Sequence, residues 1–154
     1  MLVIGVSSKG IEWIADQLSK VYQNKEIPPL LMLTKGLSIN NNNYEVLVDK
    51  LKRLFKIKGI NKVDISAVAG PCLASGLANR IHTSVIIANE DINAAKKLTN
   101  LFKAEYYHTS YSDDLIGVEV CAAIKNIFSM VIGASKGICS DKVSDPIKEK
   151  NYLN

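Results

Sequence analysis

Cysteine is scarce in this chain and shows no pattern. Cys72, Cys121 and Cys139 are odd in number and lack the close spacing of a metal centre or a disulfide framework. A cysteine-built metal site and a disulfide scaffold are therefore excluded, and a reducing, cytoplasmic setting is expected. Histidine is scarcer still. His82 and His108 stand apart, with no Asp, Cys or Ser placed to complete a triad or a metal set, so both are expected to be structural and no metal is expected. Charge of one sign is also lacking. The formal net charge is only +4, the lysines are scattered and aromatic residues make up 6%. No basic stripe interleaved with aromatics results, which excludes a nucleic-acid partner. A mildly basic balance does suit a phosphorylated small-molecule substrate. The opening MLVIGVSS lacks a basic region ahead of a cleavage site, so no signal peptide is read there.

What is present is an alternation of strand-like and helix-like segments. The 154 residues are 47% hydrophobic and 22% charged, enough for a globular body with a real core. Residues 2–6 form a short apolar run, expected to be a buried strand. Ile11, Ile14, Ala15, Leu18 and Val21 then recur at helical spacing, and Pro28-Pro29 close the unit. Residues 30–34 read as a second strand, the Asn-rich residues 40–43 as a polar connection, and Leu47, Leu51, Leu54 and Phe55 as one face of a helix. Residues 63–69 alternate and end in Gly70-Pro71, a turn signal. Residues 84–88 give a further strand, 91–102 a helix with Asn89 or Glu90 near its start, and the Tyr-rich 105–111 another strand. Such alternation predicts an α/β fold with a mainly parallel sheet.

The pattern changes after Ser112-Asp113-Asp114, three residues suited to capping a helix. Residues 115–134 are apolar almost all round, as in the central helix of a larger body. They are also about long enough to span a bilayer. Glu119 and Lys125 near the middle would each cost roughly 2.5–3.5 kcal/mol in lipid, so a buried helix of a soluble protein is expected. One stripe is small and polar: Glu119, Ala122, Asn126, Ser129 and Gly133. A domain change is placed near residue 113, and the polar 140–154 tail gives the chain an unfinished look.

Three segments could carry chemistry. Lys125 lies within the apolar helix, where burial lowers a lysine pKa toward working pH and makes it a general acid or base. The bland alternative is a lysine that snorkels to the surface. Thr34-Lys35-Gly36 follows a strand directly, at the carboxyl end where open α/β sheets bind ligands; a solvated strand-end lysine would look the same. Gly70-Pro71-Cys72-Leu73-Ala74 occupies an equivalent position and is read either as a helix start, whose free N–H groups favour an anion, or as a plain turn.

Taken together, Thr34-Lys35-Gly36, residues 70–74, Asp114-Leu115-Ile116-Gly117-Val118-Glu119 and Ala123-Ile124-Lys125-Asn126 resemble NAD(P)-dependent glycerol-3-phosphate dehydrogenases in order and spacing. The resemblance covers about residues 2–138. It implies a partial Rossmann-like sheet over residues 1–113, then, over 114–154, the first long helix of an all-α substrate domain. It implies hydride transfer between sn-glycerol 3-phosphate and dihydroxyacetone phosphate with NAD or NADP, within glycerol-3-phosphate metabolism and phospholipid biosynthesis. Lys125 resembles the catalytic acid/base and also touches substrate, and Asn126 follows it as in relatives. Lys35 matches a lysine close to both substrate and cofactor, Gly70 and Cys72 fall at substrate positions, and Ala74 falls at a cofactor contact. Two lysines from two domains would place the reaction in the cleft between them. The sequence departs from the family by lacking the Gly-x-Gly-x-x-Gly turn and the downstream Arg-Asn phosphate grip, so an internal fragment, inactive alone, is expected. Cys72 also stands where Ser or Thr is usual, and Ala122 where Gly is usual. Another hydroxyacid dehydrogenase of the superfamily, or a non-catalytic α/β binding or assembly module, is the competing reading. A homo-oligomer is left open, as is the choice between NAD and NADP.

Overall fold

The apolar runs become strands and the amphipathic runs become helices in the computed structural model, which describes residues 1–23 and 25–140. The elements are β1 (Leu2–Ile4), α1 (Ile11–Val21), β2 (Leu30–Met32), β3 (Leu37–Asn40), β4 (Asn43–Val46), α2 (Leu47–Ile57), β5 (Ile65–Ala69), α3 (Ala74–Ala78), β6 (Thr83–Ala88), α4 (Ile92–Phe102), β7 (Tyr107–Ser112) and α5 (Leu115–Ser140). A single 3-10 turn, Ser8–Gly10, leads into α1. Five strands form one sheet in the order β1-β2-β5-β6-β7. The pairs β1–β2, β2–β5 and β6–β7 are parallel, and β5–β6 is antiparallel. The sheet is therefore mainly parallel, as the alternation of elements predicts, with one reversal.

Helix spacing decides what is buried. Ile11, Ala15 and Leu18 of α1, and Leu47, Val48, Leu51 and Phe55 of α2, form stripes against β2, whose three residues are all buried. Ile4, Ile27, Ile65, Ala67, Ala88 and Leu115 belong to the same cluster. At roughly 1.5–3 kcal/mol for each fully buried large side chain, this layer dominates the stability. Helix α4 packs on β6 and β7. Ion pairs add orientation: Arg53 grips Glu45 through two bonds of 2.8 and 2.9 Å, tying the β3–β4 hairpin to α2. Lys50–Glu12 and Lys58–Asp16 join α2 to α1.

Three local expectations change. Residues 40–43 are more than a connection: Asn41 and Asn42 both have positive φ and form the two-residue turn between β3, which ends at Asn40, and β4, which begins at Asn43. Asparagine tolerates that conformation better than most residues, so the run is turn chemistry. The cap of α4 is Asp91, which accepts from the Asn93 amide at 2.9 Å. Asn89 instead lies buried, donating to Asp64 and Ser66 at 2.7 Å and linking β6 to the start of β5. Helix α5 is not buried by the described residues. Only its first turns enter the core, through Leu115 and Val118, while Ile127, Phe128, Met130, Val131, Ile132 and Ile138 are exposed.

The chain divides into two compact units, the first Met1–Ala123 and the second beginning at Ile124. The first holds the sheet, α1 to α4 and the start of α5. The second, over its described residues, is the remainder of α5.

Candidate functional site

In the first unit the carboxyl ends of β1, β2 and β5 lie side by side, because these strands are parallel neighbours. Thr34 Oγ1 donates to the Val6 carbonyl at 2.7 Å, joining the first two ends. Lys35 Nζ donates to the Gly70 carbonyl at 3.3 Å, joining the second and third. The two segments singled out from sequence, 34–36 and 70–74, thus share one corner, although 35 residues separate Lys35 from Gly70. An open hollow of about 380 Å³ flanks this corner, lined by Ser8, Lys9 and Glu12, by Leu37 and Ser38 of the hairpin, and by Leu47 and Lys50.

Gly70 has a definite structural reason to be glycine. A Cβ there would lie 2.6 Å from the Ser84 carbonyl oxygen and 2.9 Å from Val85 Cα. The backbone of the β5 end presses on β6, and no side chain fits between them. Pro71 follows, its carbonyl accepting from Thr83 Oγ1 at 3.3 Å. Cys72 is half-buried with a free thiol. Nearby, Tyr107 is half-buried, and its own burial foremost, with a smaller electrostatic contribution from the Cys72 position, raises its phenol above the ordinary pKa. Ala74 is exposed and opens α3, a five-residue helix with no side chain capping it. The helix start expected there exists, but it is a single short turn.

In the second unit, Lys125 is half-buried and Asn126 exposed on α5. The Lys125 carbonyl accepts from Ser129 Oγ at 3.4 Å, one turn on.

Two features escape a reading of the sequence. Glu119 is buried and its carboxylate accepts from the Val48 amide at 3.1 Å, at the N-terminus of α2. Burial dominates its titration and pushes it up to about 7, against the lowering effect of the α2 amides. It occupies the Gly-Val-Glu stretch, yet its partner lies 71 residues away, so no local signal could reveal the contact. The histidines, expected to be isolated, are a pair: His82 Nδ1 and His108 Nε2 are 3.0 Å apart. Only the parallel register of β6 and β7 brings them together. Among the described residues no group of three metal-ligating side chains converges.

This geometry can be set beside known proteins. Residues 1–95 match the family model described as the NAD-dependent glycerol-3-phosphate dehydrogenase N-terminus. A glycerol-3-phosphate dehydrogenase [NAD(P)+] of Mesoplasma florum is 31% identical over 137 residues, which is 88% of this chain and 39% of that protein. The corresponding protein of Limosilactobacillus reuteri is 33% identical over 90% of this chain and 40% of its own length. The chain therefore spans about two-fifths of the relatives it matches. Among solved structures, a glycerol-3-phosphate dehydrogenase of Plasmodium falciparum superposes with a TM-score of 0.74 at 20% identity, covering 89% of this chain and 37% of that one. One from Coxiella burnetii gives 0.69 at 24% identity, covering 88% and 38%. These two likenesses establish the Rossmann-type fold. The chain belongs to the NAD-dependent glycerol-3-phosphate dehydrogenase family, whose N-terminal model matches it from residue 1 to residue 95.

Proposed function

We propose that this chain contributes to the interconversion of sn-glycerol 3-phosphate and dihydroxyacetone phosphate, in the cytoplasm, with NAD or NADP as hydride carrier. The observation that supports this best is the Lys35–Gly70 contact at the carboxyl ends of two adjacent parallel strands, where ligands bind in open α/β sheets. In this reading residues 1–113 are part of a dinucleotide-binding domain and 114–154 begin a helical substrate domain. A mildly basic chain with Lys35 at the corner suits a phosphorylated substrate.

The residues present fit part of a nicotinamide cofactor. Gly36 and Gly70 leave bare backbone at the strand ends, and Ala74 at the head of α3 is small and exposed. When bound, that group supplies or accepts the hydride. Lys35 would touch cofactor and substrate, and Gly70 and Cys72 would line the substrate side. Lys125 would take the proton from the C2 hydroxyl and return it in reverse, since hydride can leave C2 only as that proton departs. It would contact substrate in doing so, with Asn126 beside it holding the hydroxyl in line. A second cation, Lys35, would stabilise the developing alkoxide.

A membrane span is not part of this reading, although α5 is long and apolar enough for one, with mean hydropathy 1.8 over its window. Glu119 lies in that window and is engaged by α2, so the first turns belong to the folded body.

The test is a graft. The matching 139-residue segment of the Limosilactobacillus reuteri relative is replaced by that of this chain, and oxidation of NADH driven by dihydroxyacetone phosphate is followed. Turnover is expected, and Lys125→Met should lower kcat at least about a hundredfold with a smaller change in KM. Turnover with 2-oxo acids instead of dihydroxyacetone phosphate would favour another hydroxyacid dehydrogenase. Near-normal kcat in the Lys125→Met graft would reduce that lysine to a structural part.

A further inference from the structure

We propose that His82 and His108 form a binding site for a borderline divalent transition-metal ion, zinc foremost, at the start of β6 and β7. The backbone fixes both positions. Ser84 pairs with His108 in the parallel register, and the Thr83 amide donates to the Tyr106 carbonyl at 2.9 Å. His82 lies two residues before Ser84 and so faces the same side of the sheet as His108. The rings meet edge to edge: the nitrogens are 3.0 Å apart while the centroids are 5.2 Å apart and the planes differ by 30°. Two neutral imidazoles in this arrangement share one proton across the gap, one ring donating and the other accepting.

A metal ion can take that proton's place once the donating ring carries its proton on its other nitrogen, which leaves a lone pair on both facing nitrogens. Zinc–nitrogen bonds are about 2.0–2.1 Å, which puts two tetrahedral ligands roughly 3.3 Å apart. The nitrogens therefore need to part by only a few tenths of an ångström, with both rings tilting so that their lone pairs converge on one ion, and both rings are exposed. Imidazole pairs of this kind suit zinc, nickel and copper over magnesium or calcium, which prefer oxygen. With no third His, Cys, Asp or Glu converging among the described residues, the ion keeps open positions filled by water or by a ligand from solution. Such a site is open, unlike the four-ligand cages of structural zinc. It is also tied to the corner described above, because Thr83, next to His82, donates to the Pro71 carbonyl.

The test is calorimetric titration of the purified chain with zinc chloride in a non-coordinating buffer and a non-thiol reductant. It is run in parallel on His82→Asn, His108→Asn and the triple Cys72→Ser, Cys121→Ser, Cys139→Ser variant. Thermal melts without zinc establish that the variants fold like the parent. One equivalent is expected to bind, with affinity at least tenfold lower in each histidine variant and unchanged in the cysteine-free one. The ring nitrogen resonances of both histidines should shift together up to one equivalent. Parent-like affinity in either histidine variant overturns the proposal, as does loss of binding in the cysteine-free chain, a response from one ring alone, or no binding.

Discussion

Gly70 and Lys35 touch each other but owe their identities to different constraints, and substitution separates the two. Gly70→Ala would force a methyl against the Ser84 carbonyl and Val85 of the neighbouring strand. Overpacking of this kind costs about 1–3 kcal/mol, so the melting temperature of the chain should fall by several degrees. At Gly5 a Cβ meets nothing within 4 Å, and Gly5→Ala should be within about 0.5 kcal/mol of neutral. Equal losses from the two would show that the contact with β6 is not what Gly70 serves. Lys35→Met removes the long, partly buried hydrogen bond to Gly70, an interaction of a kind worth about 1 kcal/mol. Its folding should barely change, while turnover of the grafted enzyme should drop. At this scale the sequence was a good guide where chemistry is local: Thr34-Lys35-Gly36 and Gly70-Pro71 announce strand ends by their composition. It was silent on the pairing of His82 with His108, since neither residue's neighbours encode the register that joins their strands.

Helix α5 is held to the core by its first two turns, and the hold depends on protons. Asp114 accepts from the Gly117 amide at 2.8 Å and caps the helix, as its position after Ser112-Asp113 predicts. Five residues after Asp114, Glu119 reaches the N-terminus of α2. Its folded pKa of about 7 lies above the ordinary 4.5, so between these values the folded chain binds a proton that the unfolded chain releases. Stability from this group is therefore complete below about pH 4.5 and lost as pH rises toward 7. Glu12, Asp16 and Glu45 are lowered by their ion pairs with Lys50, Lys58 and Arg53 and contribute the opposite slope at lower pH. The difference between parent and Glu119→Gln isolates the carboxyl. Denaturant midpoints should show the parent losing stability relative to that variant between about pH 5 and 7, and a pH-independent difference would contradict the assignment. Helices and strands were legible because burial imposes periods of 3.6 and 2 on the sequence. The β3–β4 hairpin was not, since its half-exposed strands carry no clean alternation and Asn41-Asn42 reads first as a loop. The antiparallel β5–β6 pair was equally hidden, because strand direction follows from connections and leaves no mark on composition.

At the scale of the molecule, family and fold come together from segments of these 154 residues that are each ambiguous alone. No Gly-x-Gly-x-x-Gly turn precedes or follows β1 within them, and the spacing of Gly5 and Gly10 is wrong for one. Charge-assisted hydrogen bonds to a phosphate contribute roughly 1.5–3 kcal/mol each, so lacking two or three lowers affinity by about two to six orders of magnitude. The purified chain is therefore expected to show no saturable oxidation of NADH driven by dihydroxyacetone phosphate. Its physical behaviour should be set by α5, whose Ile127, Phe128, Met130, Val131 and Ile132 are 60 to 73% exposed. A contiguous apolar face of that kind drives association, so sedimentation should reveal concentration-dependent self-association. Phe128→Glu with Ile132→Lys should abolish it without lowering the melting temperature, because neither side chain belongs to the core. A parent chain that stays monomeric at every concentration, or a double variant that unfolds, would mean that this face is already covered by contacts within the chain.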